Sequence, residues 1–231
     1  MSDRGSGSGL RPRLDRAAVR AHLVDVNDGI VATAGVVEGL LAAGASLTTI
    51  VVAALGAMVG GGVALGGMKY SEAADEQDAE LAVLAEERRL HELQPEEELA
   101  ELAALYEEKG LSPDLARRVA DELSTTDALR HHAEVEHGIP IGDSPSPIGT
   151  AAIAGLAYMV GAAVPLAVST LAPSSWRVLV TIVAVIVALA GTATVVARLG
   201  GLRVGRTVLR TVVIGLLTML LTLAGGSLFV L

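Results

Sequence analysis

The chain contains no cysteine. That single absence excludes disulfides, thiolate metal sites and thiol catalysis together. Any metal it holds must be met by oxygen or imidazole donors, which suit harder ions than thiolates select. Aromatic residues are almost as scarce, at 2% of 231 residues, although 52% of the chain is hydrophobic. A positive mean hydropathy with so few rings is unlike an ordinary globular core. There is no phosphate loop of the GxxxxGK type, so ATP-driven pumping is not expected. No Ser/His/Asp arrangement stands out, and no apolar segment carries a hydrolase nucleophile or metal motif; no enzymatic activity is expected. The opening MSDRGSGSGLRPRLDR lacks the apolar core of a secretory signal and reads as a basic cytoplasmic tail over residues 1–22.

Charge is present but segregated. Most of the Asp and Glu behind the net charge of -9 lies between Tyr70 and Gly138. Basic residues predominate elsewhere, scattered at segment ends instead of forming a stripe, so nucleic acid is not an expected partner. The rest is apolar. A hydrocarbon layer of about 30 Å needs roughly 20 apolar helical residues, and five stretches qualify: about Val24–Ala45, Leu47–Met68, Ile148–Leu171, Trp176–Ala197 and Val208–Leu231. Nothing alternates like a barrel strand, so helices are the expected way to satisfy the backbone in lipid.

The expected fold is all-α, a polytopic membrane protein with five transmembrane helices. Helices 1–2 occupy residues 23–69 and helices 3–5 residues 148–231. Between them lie an acidic helical domain at 70–138 and a linker at 139–147. Arg4, Arg11, Arg13, Arg16, Arg20, Lys69, Arg198, Arg203, Arg206 and Arg210 fall on one side if the N-terminus is cytoplasmic, leaving only Arg177 opposite. The insert is then cytoplasmic. The Ala/Arg/Gly-rich composition points to a bacterium and so to its inner membrane. Gly56, Gly60, Gly61, Gly62, Gly66 and Gly67 in the second span, with Gly29, Gly35, Gly39 and Gly44 in the first, predict close helix packing, within the chain or across a dimer.

Within the insert, Glu72–Leu93 reads as a continuation of the second span, ended by Gln94-Pro95. Glu96–Lys109 forms the next helix with Gly110 as its cap, and Pro113–His137 the third, with a break near Ser124–Thr126.

Ionisable groups inside spans are costly and mark function by default. Asp28 and Glu38 lie in the first span; Asp28 can also be an interfacial helix cap, whereas Glu38 sits deep enough to need a cation, a proton or a partner. In the insert, Glu98 and Glu101 share one helix face at i,i+3, His132 and Glu136 share another at i,i+4, and Glu87 ends the preceding helix. Four carboxylates and an imidazole would suit Fe(II), Mn(II) or Zn(II) if they converge. A solvated charged face is the competing explanation of the same spacing.

Three stretches, NDGIVATAGVVEG, PEEELAELAALYEEKGLSPDLARRVADEL and ARLGGLRVGRTVLRTVVIG, make the chain from Asn27 onward resemble the vacuolar iron transporter family. The resemblance implies a five-span homodimer that moves Fe(II) or Mn(II) out of the cytosol against protons, its cytoplasmic helices collecting metal. Ions are then substrate and bound ligand, with Zn(II) or Co(II) as further candidates and no prosthetic group. Asp28 matches an aspartate of the translocation path, and Glu87, Glu98, Glu101 and Glu136 match glutamates of the cytoplasmic metal site. His132 stands where plant members carry methionine. The sequence departs at Leu90, where a further glutamate is expected unless His91 or Glu92 substitutes. It departs again at Ala57, Leu65 and Lys69 in the second span. Those second-span changes motivate an alternative: a membrane-anchored metal-binding or regulatory protein without transport.

Overall fold

The computed structural model describes residues 16–139 and 145–228. Arg4, Arg11 and Arg13 of the basic tail, the middle of the linker and the last three residues of the expected fifth span lie outside them. Among the described residues seven helices account for the secondary structure, and no strand occurs. They are α1 (Arg16–Ala42), α2 (Leu47–Leu93), α3 (Pro95–Glu108), α4 (Pro113–His137), α5 (Pro147–Leu171), α6 (Arg177–Leu199) and α7 (Val204–Ser227). The chain divides into two compact units, Met1–Lys69 with Thr150–Leu231, and Tyr70–Gly149. α2 runs without interruption through the boundary.

Four helices, α2, α5, α6 and α7, are long and apolar enough to cross a membrane. Five were expected, and α1 is the one that falls short. Asp25, Asp28 and Glu38 all lie in its last 18 residues, and moving the window toward Arg16 only exchanges one acid for an arginine. Its position within the first unit explains how it carries Asp25 and Glu38, which are buried there. One face, through Ile30 and Ala34, packs against Val185 and Leu189 of α6 and Met219 of α7. Another, through Val37, meets Ile50 and Ala54 of α2 and Leu166 of α5. The least apolar long helix of this unit is thus the most enclosed, as expected where polar side chains must face protein instead of lipid.

Glycine makes that enclosure possible. A Cβ on Gly29 of α1 would run into the Tyr158 carbonyl of α5, and one on Gly161 of α5 into the Val26 carbonyl of α1. α2 and α5 meet the same way: a Cβ on Gly155 would lie 2.8 Å from the Gly62 carbonyl oxygen. Lipid tails are as apolar as leucine, so such bundles are held by dispersion between closely packed backbones and not by expulsion of water. A Cβ added at Gly56, Gly60 or Gly67 would meet nothing within 4 Å among the described residues.

In the second unit α3 and α4 pack through Leu102, Ala103 and Ala120, flanked by Leu99, Tyr106 and Val135. Pro95 opens α3, where the missing N–H costs nothing, and Glu96, Glu97 and Glu98 in the first turn complement the positive end of the helix. Lys109 is the cap residue itself, and Gly110 follows at φ 99, a left-handed conformation that turns the chain toward α4. The expected break near Ser124–Thr126 is absent. α4 is continuous from Pro113 to His137 because the Thr125 hydroxyl donates back to the Glu122 carbonyl at 2.8 Å and does not compete for the helical amides. Gly138, at φ 69, ends it.

Candidate metal centre

The last turns of α2, the first turn of α3 and the last turns of α4 carry the chemistry of the second unit. Glu87 and His91, at i,i+4, project from one face of α2. Glu98 stands in the first turn of α3. His132 and Glu136, again at i,i+4, and His137 come from α4.

Ligand atoms of Glu87, His91, Glu98 and His132 all lie within 4.8 Å of one another. His132 is wholly enclosed, and Glu87 and Glu98 are buried. His132 Nδ1 is 3.3 Å from a Glu98 oxygen and 4.0 Å from Glu87 Oε2; its Nε2 is 2.8 Å from Glu136 Oε2. These approaches are close but not directed as hydrogen bonds. Both His132 nitrogens, His91 Nε2 and Glu87 Oε2 therefore remain without hydrogen-bond partners among the described residues. Buried polar atoms are rarely left so. Donors gathered around a common point with their lone pairs unused are what a cation requires.

A second group sits beside the first. Glu87, Glu136 and His137 also bring ligand atoms together. His137 Nε2 hydrogen-bonds Glu87 Oε1 at 3.0 Å and lies 3.7 Å from Glu136 Oε2. Glu87 thus turns one oxygen toward each group.

Electrostatics agree with the geometry. Burial raises Glu98 above the usual carboxylate range, His132 opposes that shift, and Glu87, Glu101 and Glu136 add to it. Burial lowers His91, as does His132, while Glu87 pulls the other way, so its imidazole is held toward the neutral, ligating form. The hydrogen bond to Glu87 raises His137.

Of the residues expected from the sequence, Glu87, Glu98, His132 and Glu136 come together here. Glu101 does not join either group; it is exposed, and only its charge reaches Glu98 and His137. His137 was not singled out as a ligand, and His91 only as a stand-in for the glutamate missing at Leu90. His91 nonetheless carried a signal, the same i,i+4 spacing to Glu87 that marks His132 and Glu136. In the first unit Glu38 is fully buried with neither carboxylate oxygen hydrogen-bonded among the described residues. Asp28 is exposed on the chain taken alone. Asp25, overlooked in the sequence, is buried one turn earlier, 3.8 Å from His22 Nδ1.

The sequence pattern of the VIT family matches residues 19–227, nearly the whole chain. The chain belongs to the VIT family. Among its relatives, a vacuolar iron transporter of Acanthamoeba castellanii (strain ATCC 30010 / Neff) is 32% identical over 211 residues, covering 91% of this chain and 78% of the relative. Vacuolar iron transporter 2 of Oryza sativa subsp. japonica is 27% identical over 172 residues, covering 74% and 70%. VIT family members are transporters, so this chain is a transporter and not an enzyme. With four apolar helices of spanning length it is a multi-pass membrane protein.

Proposed function

We propose that this VIT family protein moves Fe(II), Mn(II) or both out of the cytosol by proton antiport, with the Tyr70–Gly149 unit collecting the ion. The observation that carries this reading is the buried group Glu87, His91, Glu98 and His132, whose donor atoms lie within 4.8 Å of one another. The relatives' name, vacuolar iron transporter, supports iron as cargo.

α1 serves as the fifth span. Its 27 residues reach about 40 Å at the helical rise, enough to cross the hydrocarbon layer. With five spans, Arg16, Arg20, Lys69, Arg198, Arg203, Arg206 and Arg210 fall on one side, which supports a cytoplasmic N-terminus and acidic unit in a bacterial cell. Glu38 and Asp28 then stand along the membrane path. A carboxylate accepts either a metal ion or a proton, which is the exchange an antiporter performs. Gly56, Gly60 and Gly67, open within the chain, fit the face of a second copy, so the working unit is a homodimer.

Proteoliposomes holding the full chain and loaded with a pH gradient test this reading. Fe(II) or Mn(II) is expected to accumulate against the proton flow and to stop accumulating when a protonophore collapses the gradient. Uptake in Asp28→Asn and Glu38→Gln equal to the parent would remove these residues from the path. Metal binding by a chain that moves no ion would instead favour a metal-binding or regulatory membrane protein, the outcome that Ala57 and Leu65 in the second span make worth testing.

A further inference from the structure

We propose that His91 is a metal ligand and the residue that sets ion preference at the buried centre. With Glu87, Glu98 and His132 it completes two imidazoles and two carboxylates suited to a four-coordinate borderline ion, Zn(II) or Co(II), ahead of Mn(II). The inference rests on the reading that this centre collects metal, and it names the ions collected best.

The geometry of His91 is that of a ligand without its ion. Its Nε2 is buried and has no hydrogen-bond partner among the described residues. Its ring meets His132 edge-on, with centroids 5.3 Å apart and planes at 82°. Neither ring stacks on the other, and a nitrogen of each lies within 4.8 Å of the same two carboxylates. A histidine kept only for packing would be expected to spend its ring nitrogens on neighbouring backbone or side chains. The flanking residues of α2 offer no substitute: Leu90 has no donor, and Glu92 is exposed.

Ion preference follows from the donor set and from the lack of room. Zn(II) is held by four N and O donors, and imidazole raises affinity for the later divalent metals. Mn(II) favours six oxygens, several of them water. At this centre His132 is fully enclosed and Glu87 and Glu98 are each 4% exposed, which leaves little access for the waters a six-coordinate ion retains. His137 supports the arrangement from outside, since it engages Glu87 Oε1 and leaves Oε2 turned to the centre.

Metal titration of the purified full chain in detergent tests the assignment. Co(II) is followed by its visible ligand-field absorption, Zn(II) by displacement of Co(II), and Mn(II) by the resonance signal of the free aqua ion. The parent is expected to bind Zn(II) and Co(II) more tightly than Mn(II). His91→Gln is expected to weaken Zn(II) and Co(II) binding by about 10–100-fold and leave Mn(II) binding largely unchanged. His91→Glu, which restores an oxygen donor, is expected to shift preference toward Mn(II). A His91→Gln protein that folds, by circular dichroism, and keeps its Zn(II) affinity overturns the proposal, as does one that loses Zn(II) and Mn(II) equally. If that variant does not fold, a parent that binds Mn(II) as tightly as Zn(II) overturns it alone. Transport is read separately. Proteoliposomes that move no ion while the Zn(II) preference depends on His91 sink the antiport reading and leave this one standing.

Discussion

Glu38 in the helical bundle and Glu98 in the acidic unit are both enclosed, at 0% and 4% exposure, but in opposite company. Glu38 has no hydrogen-bond partner for either oxygen among the described residues and stands beside Val37 on a helix whose neighbours at that depth are Ile50, Ala54 and Leu166. Glu98 faces His132, with Glu87 and His91 beside it. A lone carboxylate removed from water must take up a proton or a cation, so Glu38 suits a group that alternates between the two. A clustered set of carboxylates and imidazoles shares one multivalent ion and holds it. On the proposed reading, one region passes charge and the other gathers it.

The largest effect expected on that contrast is at Glu38. Glu38→Gln keeps shape and removes the exchangeable charge, so proton-coupled uptake in proteoliposomes should fall to background while metal binding by the acidic unit persists. Equal uptake in parent and variant breaks the contrast. Next is Glu87, which serves both donor groups. Glu87→Gln should cost about 10–100-fold in metal affinity by calorimetry on the full chain, and slow uptake without abolishing proton leak.

Packing comes third. Gly161→Ala drives a methyl group into the Val26 carbonyl and should cost about 1–3 kcal/mol, read as a lowered melting temperature in detergent. Gly191→Ala on α6, with nothing within 4 Å, should change stability by less than about 0.5 kcal/mol. A reversal of that order would mean the close α1–α5 backbone approach is not what holds these helices together.

The smallest effect is a pH dependence. His137 is raised above its ordinary value of 6.5 by the hydrogen bond to Glu87. Its contribution to the stability of the metal-free chain is therefore fully present below pH 6.5 and lost as pH rises through the raised value. Melting temperature of the metal-free protein should decline modestly over that window, and His137→Gln should flatten the decline. Saturating metal should oppose it, because Glu98, raised by burial, must shed its proton to bind, and binding improves as pH rises.

Much of the architecture was legible in the sequence for local reasons. Helix ends at Gln94-Pro95, Gly110 and Gly138 follow from proline's missing donor and glycine's access to positive φ. The apolar runs of α2, α5, α6 and α7 are a matter of composition over some twenty residues. The Ser124–Thr126 break does not form: the Thr125 hydroxyl donates to the Glu122 carbonyl within the helix and leaves the helical amides to their own carbonyls.

The site was legible only in part. Spacing picked out Glu98 with Glu101 and His132 with Glu136, and its place late in the preceding helix picked out Glu87, but Glu101 joins neither group of ligand atoms. Nothing local distinguishes them. Glu98 and Glu101 lie three residues apart on one exposed-looking face, and only the packing of α3 on α4 through Leu102 and Ala120 decides which is buried. His91 joins because it is one turn beyond Glu87 on α2, a fact without meaning until α4 brings His132 beside it.

The sequence by itself therefore determined the helices, the segregation of acidic from apolar chain, and the exclusion of thiol chemistry, because each depends on composition or on neighbours a few residues apart. The tertiary structure alone decided that α1, the least apolar of the long helices in its unit, lies enclosed among α2, α5, α6 and α7. It also decided that two imidazoles and two carboxylates from three helices meet within 4.8 Å. Those outcomes depend on contacts between residues far apart in the chain, and such contacts are set by the fit of whole helix faces, which no single stretch of sequence contains.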